Sequence, residues 1–158
     1  MTDVRIHLSF DLEHDRDLHD RLLAQAKSHA AFAIASRSEA GEMTEAWTER
    51  VRGRITEADE VVVICGEHTD ESPRVSAELE IAQEQRKPYV LLWGRRECMC
   101  KKPKGARADD GIYGWTASTL EQRLAYNLRR SREPVVPEGM KRQVPAARTA
   151  PREAPPAT

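Results

Sequence analysis

Short apolar runs alternate along this chain with longer stretches in which apolar residues recur every three or four positions. Val4 to Phe10 is an apolar-rich run that stops at Asp11-Leu12-Glu13-His14-Asp15, the pattern of a buried strand followed by a polar loop. From Arg16, the spacing of Leu18, Leu22 and Ala26 predicts an amphipathic helix. Ala31 to Ala35 reads as a second strand, and Ser36 to Met43 as a polar loop. Thr44 suits the N-cap of a second helix, in which Trp47, Val51, Ile55 and Ala58 form one apolar stripe. Trp47 is therefore expected in the core. Val61-Val62-Val63-Ile64-Cys65 is a continuous, mostly β-branched run, as in strands buried on both faces. Gly66 to Ser72 is a loop, and Ser72-Pro73 is a strong helix start, with Val75, Leu79 and Ala82 inward and an end near Lys87-Pro88. Tyr89 to Trp93 is a fourth strand, Arg95 to Arg107 a long loop and Ile112-Tyr113 a short fifth strand. Leu120, Leu124 and Leu128 stand in register on a last helix over Thr119 to Arg130.

Strands alternating with helices imply a parallel sheet with right-handed crossovers. The expected architecture is α/β, a flavodoxin-like three-layer sandwich with a five-stranded sheet in the order 2-1-3-4-5. In that order the winding reverses between the first and third strands, and ligands bind outside the carboxyl ends of those two. The loops after Phe10 and after Cys65 are therefore the expected site. One domain is expected over residues 1–132. From Glu133 prolines are frequent and apolar residues sparse, so residues 133–158 are expected to be a disordered tail.

Composition narrows the classes of function. The chain carries 25 Lys and Arg against 26 Asp and Glu, with no basic block interleaved with aromatics, which argues against a nucleic-acid partner. No stretch approaches the roughly 18 apolar residues of a membrane helix, and the N-terminus runs into a strand without an apolar signal core. Cys65, Cys98 and Cys100 form no disulfide framework. Cys98-Met99-Cys100 lacks the two-residue spacer and the second ligand pair of a zinc clip, so no metal is expected. Together these features predict a cytoplasmic protein.

The predicted crevice offers Ser9, Phe10, Asp11, His14 and Asp15 from the first loop, and Glu67, His68, Thr69 and Asp70 from the third. Acidic residues after the first strand argue against a phosphate-cradling flavin loop, which needs Gly, Ser and Thr. Cys65-Gly66 stands where a phosphoacceptor domain needs an aspartate, and neither Gly-x-Gly-x-x-Gly nor Gly-x-Ser-x-Gly occurs. Glu78, on the third helix near the crevice end and between Ala77 and Leu79, is the carboxylate singled out for chemistry; the alternative is an ordinary solvated helix glutamate. Glu80 is its natural control, since it faces another direction. His68 suits contact with a ribose or phosphate, or else holds backbone groups of its loop.

At these residues the chain resembles the TIR domains, and within them the bacterial and archaeal TIR-like family that includes the TIR component of Thoeris anti-phage systems. The likeness is carried by Val4-Arg5-Ile6-His7-Leu8-Ser9-Phe10-Asp11, by Asp15-Arg16-Asp17-Leu18, and by Trp47 leading into Val51-Arg52-Gly53-Arg54-Ile55. Gly66-Glu67-His68-Thr69, Val75-Ser76-Ala77-Glu78-Leu79-Glu80 and Tyr113-Gly114-Trp115-Thr116 continue it in order, over about residues 4 to 130. The resemblance implies cleavage of the nicotinamide–ribose bond of NAD+, which is substrate rather than cofactor, with the ADP-ribose part hydrolysed or closed into a cyclic isomer. It makes Glu78 the catalytic glutamate and Phe10 the aromatic beside the site; from the predicted crevice, Ser9, Phe10, Asp11, Glu67, His68 and Thr69 are the expected substrate-binding positions. It also implies a product that acts as a second messenger for a separate effector, and self-association between TIR domains. Where many TIR domains carry a Trp-Cys pair four residues before the glutamate, this chain has Arg74-Val75.

Two other readings stand beside a NAD glycohydrolase or cyclase. A nucleoside deoxyribosyltransferase-like enzyme shares the fold class and the glutamate chemistry. A non-catalytic TIR-like module would bind a nucleotide or another protein without turnover. Likeness of fold does not choose among them.

Overall fold

Five strands of the computed structural model, which describes residues 4–28 and 31–131, pair side by side in parallel. They are β1 (Val4–Ser9), β2 (Phe32–Arg37), β3 (Glu60–Cys65), β4 (Tyr89–Trp93) and β5 (Ile112–Gly114), in the order β2-β1-β3-β4-β5. The helices that connect them are α1 (Arg16–Ser28), α2 (Glu45–Glu57) and α3 (Pro73–Glu84), and α4 (Ala117–Ser131) follows β5. The expected sheet order and all four helices are present. The expected tail and the last residue of the expected domain lie outside the described residues.

Each face of the sheet meets a helix pair because the strands alternate their side chains. Ile6, Leu8, Val62, Ile64, Val90 and Leu92 pack with Leu18 and Leu22 of α1 and Leu120 and Leu124 of α4. On the other face, Val61, Val63, Cys65 and Leu91 pack with Trp47, Val51 and Ile55 of α2 and with Val75 and Ala82 of α3. Trp47 is fully buried, as its stripe predicts. Both expected caps form: Thr44 Oγ1 accepts from the amide of Trp47 at 3.2 Å, and Ser72 Oγ from that of Val75 at 3.2 Å.

One irregularity shapes the site. β1 and β2 pair in register up to Ile6 and Ile34; His7 then pairs with Ser36, and Ala35 is skipped. A shift of one residue exchanges the faces of everything that follows. Ser36 and Ser38 are thereby brought to the α2–α3 face, the face His7 occupies. In an unbroken register they would have followed Ile34 onto the other one.

The far end of β3 carries a second buried acid. Glu60 is fully buried, and neither of its carboxylate oxygens has a hydrogen-bond partner among the described residues. Burial pushes its pKa up to about 8, Asp59 adds to the rise, and Asn127 and Arg123 of α4 pull the other way. The folded chain therefore holds a proton that the unfolded chain releases near the ordinary value of 4.5. This stabilising term is present in full below that value and is lost as pH rises to about 8. The thermal midpoint should fall across that window, by the equivalent of a few kcal/mol. Glu60→Gln should flatten the decline in a calorimetric pH series.

Candidate functional site

The carboxyl ends of β1 and β3 open onto a cavity of about 450 Å³, walled by Asp11 and His14 from the first loop, Ala40 from the second, and His68, Ser72 and Arg74 from the third loop and the start of α3. The two imidazoles close across it. His14 and His68 stack with ring centroids 4.1 Å apart, joining the loop after β1 to the loop after β3. Each ring is held at Nδ1 by a carboxylate, His14 by Asp11 at 2.8 Å and His68 by Glu71 at 3.3 Å. The hydrogen bond from Asp11 raises the pKa of His14 above its ordinary value. Asp11, Glu13 and His14 bring possible ligand atoms within 4.8 Å of one another and are the residues that could take a cation, although exposed acids often cluster without one.

Beneath the first loop, Asp15 is buried against the start of the third. Burial raises its pKa, and Arg95, at the end of β4, opposes that by donating from Nη2 to Oδ1 at 3.1 Å. The same guanidinium grips Asp17 through both of its oxygens, at 2.8 and 3.0 Å, and so ties the end of β4 to the first turn of α1. Gly66 is what lets the loops approach: a Cβ there would sit 2.4 Å from Oδ2 of Asp15.

Glu78 lies one helical turn after Arg74 and has no exposed surface. Its Oε1 accepts a hydrogen bond from Ser38 Oγ at 2.9 Å and lies 3.4 Å from Nε2 of His7; Oε2 is buried without a partner among the described residues. Ser38 is itself fixed, because its oxygen accepts from the amide of Phe10 at 3.1 Å. His7 is fixed too, with Nδ1 2.8 Å from Ser36 Oγ. Glu80, two residues on, is exposed and borders a separate groove along α3.

The segment after β2 is tied down to α2 and the start of α3. Arg74 donates to the carbonyls of Glu39 and Gly41 at 2.9 and 2.8 Å and lies over the ring of Trp47. Trp47 Nε1 donates to the same Glu39 carbonyl at 3.2 Å. The Glu39 carboxylate pairs with Arg50 and Arg54 on α2, and the Arg50 hydrogen bond leads in holding its pKa below the ordinary value.

The residues anticipated for the site divide by placement. Asp11 and His68 face the cavity. Glu67 is exposed and Ser9 fully buried, its hydroxyl unpartnered among the described residues. Thr69 is turned inward, where its hydroxyl accepts from the amide of Gly66 at 2.7 Å. The ring of Phe10 stacks on His19 in the α1 side of the core, so Phe10 reaches Glu78 only through its amide and Ser38. His7, Ser36 and Ser38 were not anticipated. A histidine inside an otherwise apolar strand was the available signal for the first; the serines carried none, because their facing depends on the β1–β2 register.

The fold and this crevice define a TIR-like α/β domain. Residues 7–96 match the family model described as Thoeris protein ThsB, TIR-like domain, and the chain belongs to that family. Among solved structures, the TIR domain of the Toll-related receptor TRR-2 from Hydra magnipapillata is similar at 14% identity and a TM-score of 0.51, over 80% of this chain and 95% of that one. A prokaryotic SEFIR domain aligns at 16% identity and a TM-score of 0.49, over 85% of this chain and 97% of that one. No curated protein matches. Among the described residues, no helix is long and apolar enough to cross a membrane.

The contact between Gly66 and Asp15 is testable. Gly66→Ala should destabilise the fold by about 1–3 kcal/mol in denaturant titrations, as overpacking does. The penalty should shrink in an Asp15→Ala background, where the obstructing carboxyl group is gone.

Proposed function

We propose that the protein cleaves the nicotinamide–ribose bond of NAD+ and releases an ADP-ribose product, hydrolysed or cyclised, as a signal in anti-phage defence. The observation that carries this reading is Glu78: a fully buried carboxylate on α3, with one oxygen held by Ser38 and close to His7 and the other without a partner among the described residues. Breaking the bond develops positive charge on the ribose, and a carboxylate in a water-excluded site stabilises that charge. Nicotinamide leaves NAD+ as a neutral amide, so no second carboxyl group is needed to protonate the leaving group. Water, or a nucleophile within the same molecule, then captures the ribose from the open side. The resemblance to TIR domains supports this role for Glu78, self-association of the domain, and a separate effector that senses the product.

The burial of Glu78 also favours a second reading, in which the carboxylate serves the fold and the domain is an interaction module. Because Glu78 has no exposed surface, catalysis requires the groups packed around it to move aside, and assembly of several domains is a natural trigger for that opening.

Purified protein incubated with NAD+, with and without an infection-like trigger, should release nicotinamide detectable by chromatography. Glu78→Gln should lower the rate by about 10²–10³, as loss of an electrostatic stabiliser does, while Glu80→Gln leaves it unchanged. Release that survives Glu78→Gln removes that residue from the mechanism. A folded protein that is silent under every condition supports the interaction module, and cleavage of nucleosides but not NAD+ supports a deoxyribosyltransferase-like enzyme.

A further inference from the structure

The hydrogen-bond inventory around Glu78 leaves few choices for where protons sit. The amide of Phe10 donates to Ser38 Oγ, so the Ser38 proton is free to point at Oε1 of Glu78. An ionised carboxylate only accepts, so the approach of His7 Nε2 to the same oxygen requires the proton to be on Nε2. In a neutral ring Nδ1 is then an acceptor, and the Ser36 hydroxyl, 2.8 Å away, supplies its hydrogen. The result is a directed chain, Ser36 to His7 to Glu78, in which the bond made at one nitrogen selects the tautomer at the other. All of it is buried or nearly so, in a place where His7 has no solvent to turn toward.

We propose that His7 is a positioning residue for Glu78. By donating from Nε2 to Oε1, together with Ser38, it fixes the rotamer of the carboxylate and leaves Oε2 as the oxygen presented to the ribose. The assignment rests on the glycohydrolase reading for its purpose, but the hydrogen bond itself does not. Ser36 acts one step further out, by holding the ring in the donating tautomer. The skipped Ala35 is the device that makes the chain possible, since it brings both serines to the face of His7.

Two measurements on the full chain test this. Long-range proton–nitrogen correlation spectra should show a neutral His7 ring protonated at Nε2, with that proton slow to exchange. In kinetics, His7→Leu, which keeps bulk but has no donor, should lower kcat by about 10- to 100-fold, the scale expected when a reacting group is misplaced. KM should stay within about twofold, because the interaction serves the transition state rather than substrate binding. His7→Gln, whose amide can donate to the same oxygen, should restore most of the lost turnover. In a Glu78→Gln background, His7→Leu should cost little more, since its effect passes through that carboxylate. A proton on Nδ1, equal losses for Leu and Gln, or a loss that persists in the Glu78→Gln background overturns the assignment even in an active enzyme. A ring protonated at Nε2 in a wild-type chain that never releases nicotinamide refutes the glycohydrolase reading instead, and with it the catalytic purpose of the bond.

Discussion

A carboxylate cut off from water needs polar partners, and Glu78 finds its two on other elements: the Ser38 hydroxyl just past β2, which donates to it, and the His7 ring within β1. That requirement links three parts of the chain far apart in sequence. α3 must present Glu78 inward, β1 must carry a polar residue through its apolar run, and β2 must break register to bring its serines round. The amide of Phe10 completes the arrangement by occupying the oxygen of Ser38. The functional reading is organised around this one buried group, which lies outside the lining of the crevice cavity.

Glu60 shows what the same side chain does without such help. Both glutamates are fully buried, on opposite faces of the sheet, Glu60 toward α4 and Glu78 on α3 against His7. Among the described residues no partner meets hydrogen-bond geometry at either oxygen of Glu60, and burial drives it toward the protonated form at neutral pH against the opposing pull of Asn127 and Arg123. Glu78 has polar partners on two elements. The contrast also separates a plain stability effect on one face of the sheet from the candidate chemistry on the other.

Around the cavity, opposite charges are used mainly to hold loops together. Arg95 ties β4 to the loop and helix after β1, and Arg74 grips two carbonyls of the segment after β2. Arg74 stands where many TIR domains have tryptophan. Here its guanidinium supplies two hydrogen bonds that an indole could not make, while Trp47 on α2 takes an aromatic place beside it. The departure from the family's pattern thus has a visible structural use.

Local patterning was enough to determine the layered α/β architecture. The β-branched run at Val61–Ile64, the Ser72-Pro73 helix start and the repeat of Trp47, Val51 and Ile55 each express a preference that neighbouring residues satisfy. Because parallel strands joined by helices have few ways to pack, the sheet order and the crevice at β1 and β3 followed from them, and Glu78 stood out near that crevice. The tertiary structure decided which polar groups meet. Thr69 turned to the amide of Gly66, the ring of Phe10 went to the α1 side, and Ser36 and Ser38 came to face His7. The Thr69 contact closes a loop locally, whereas the facing of Ser36 and Ser38 depends on register between segments distant in sequence. A one-residue shift reverses the facing of a strand without changing a single local preference.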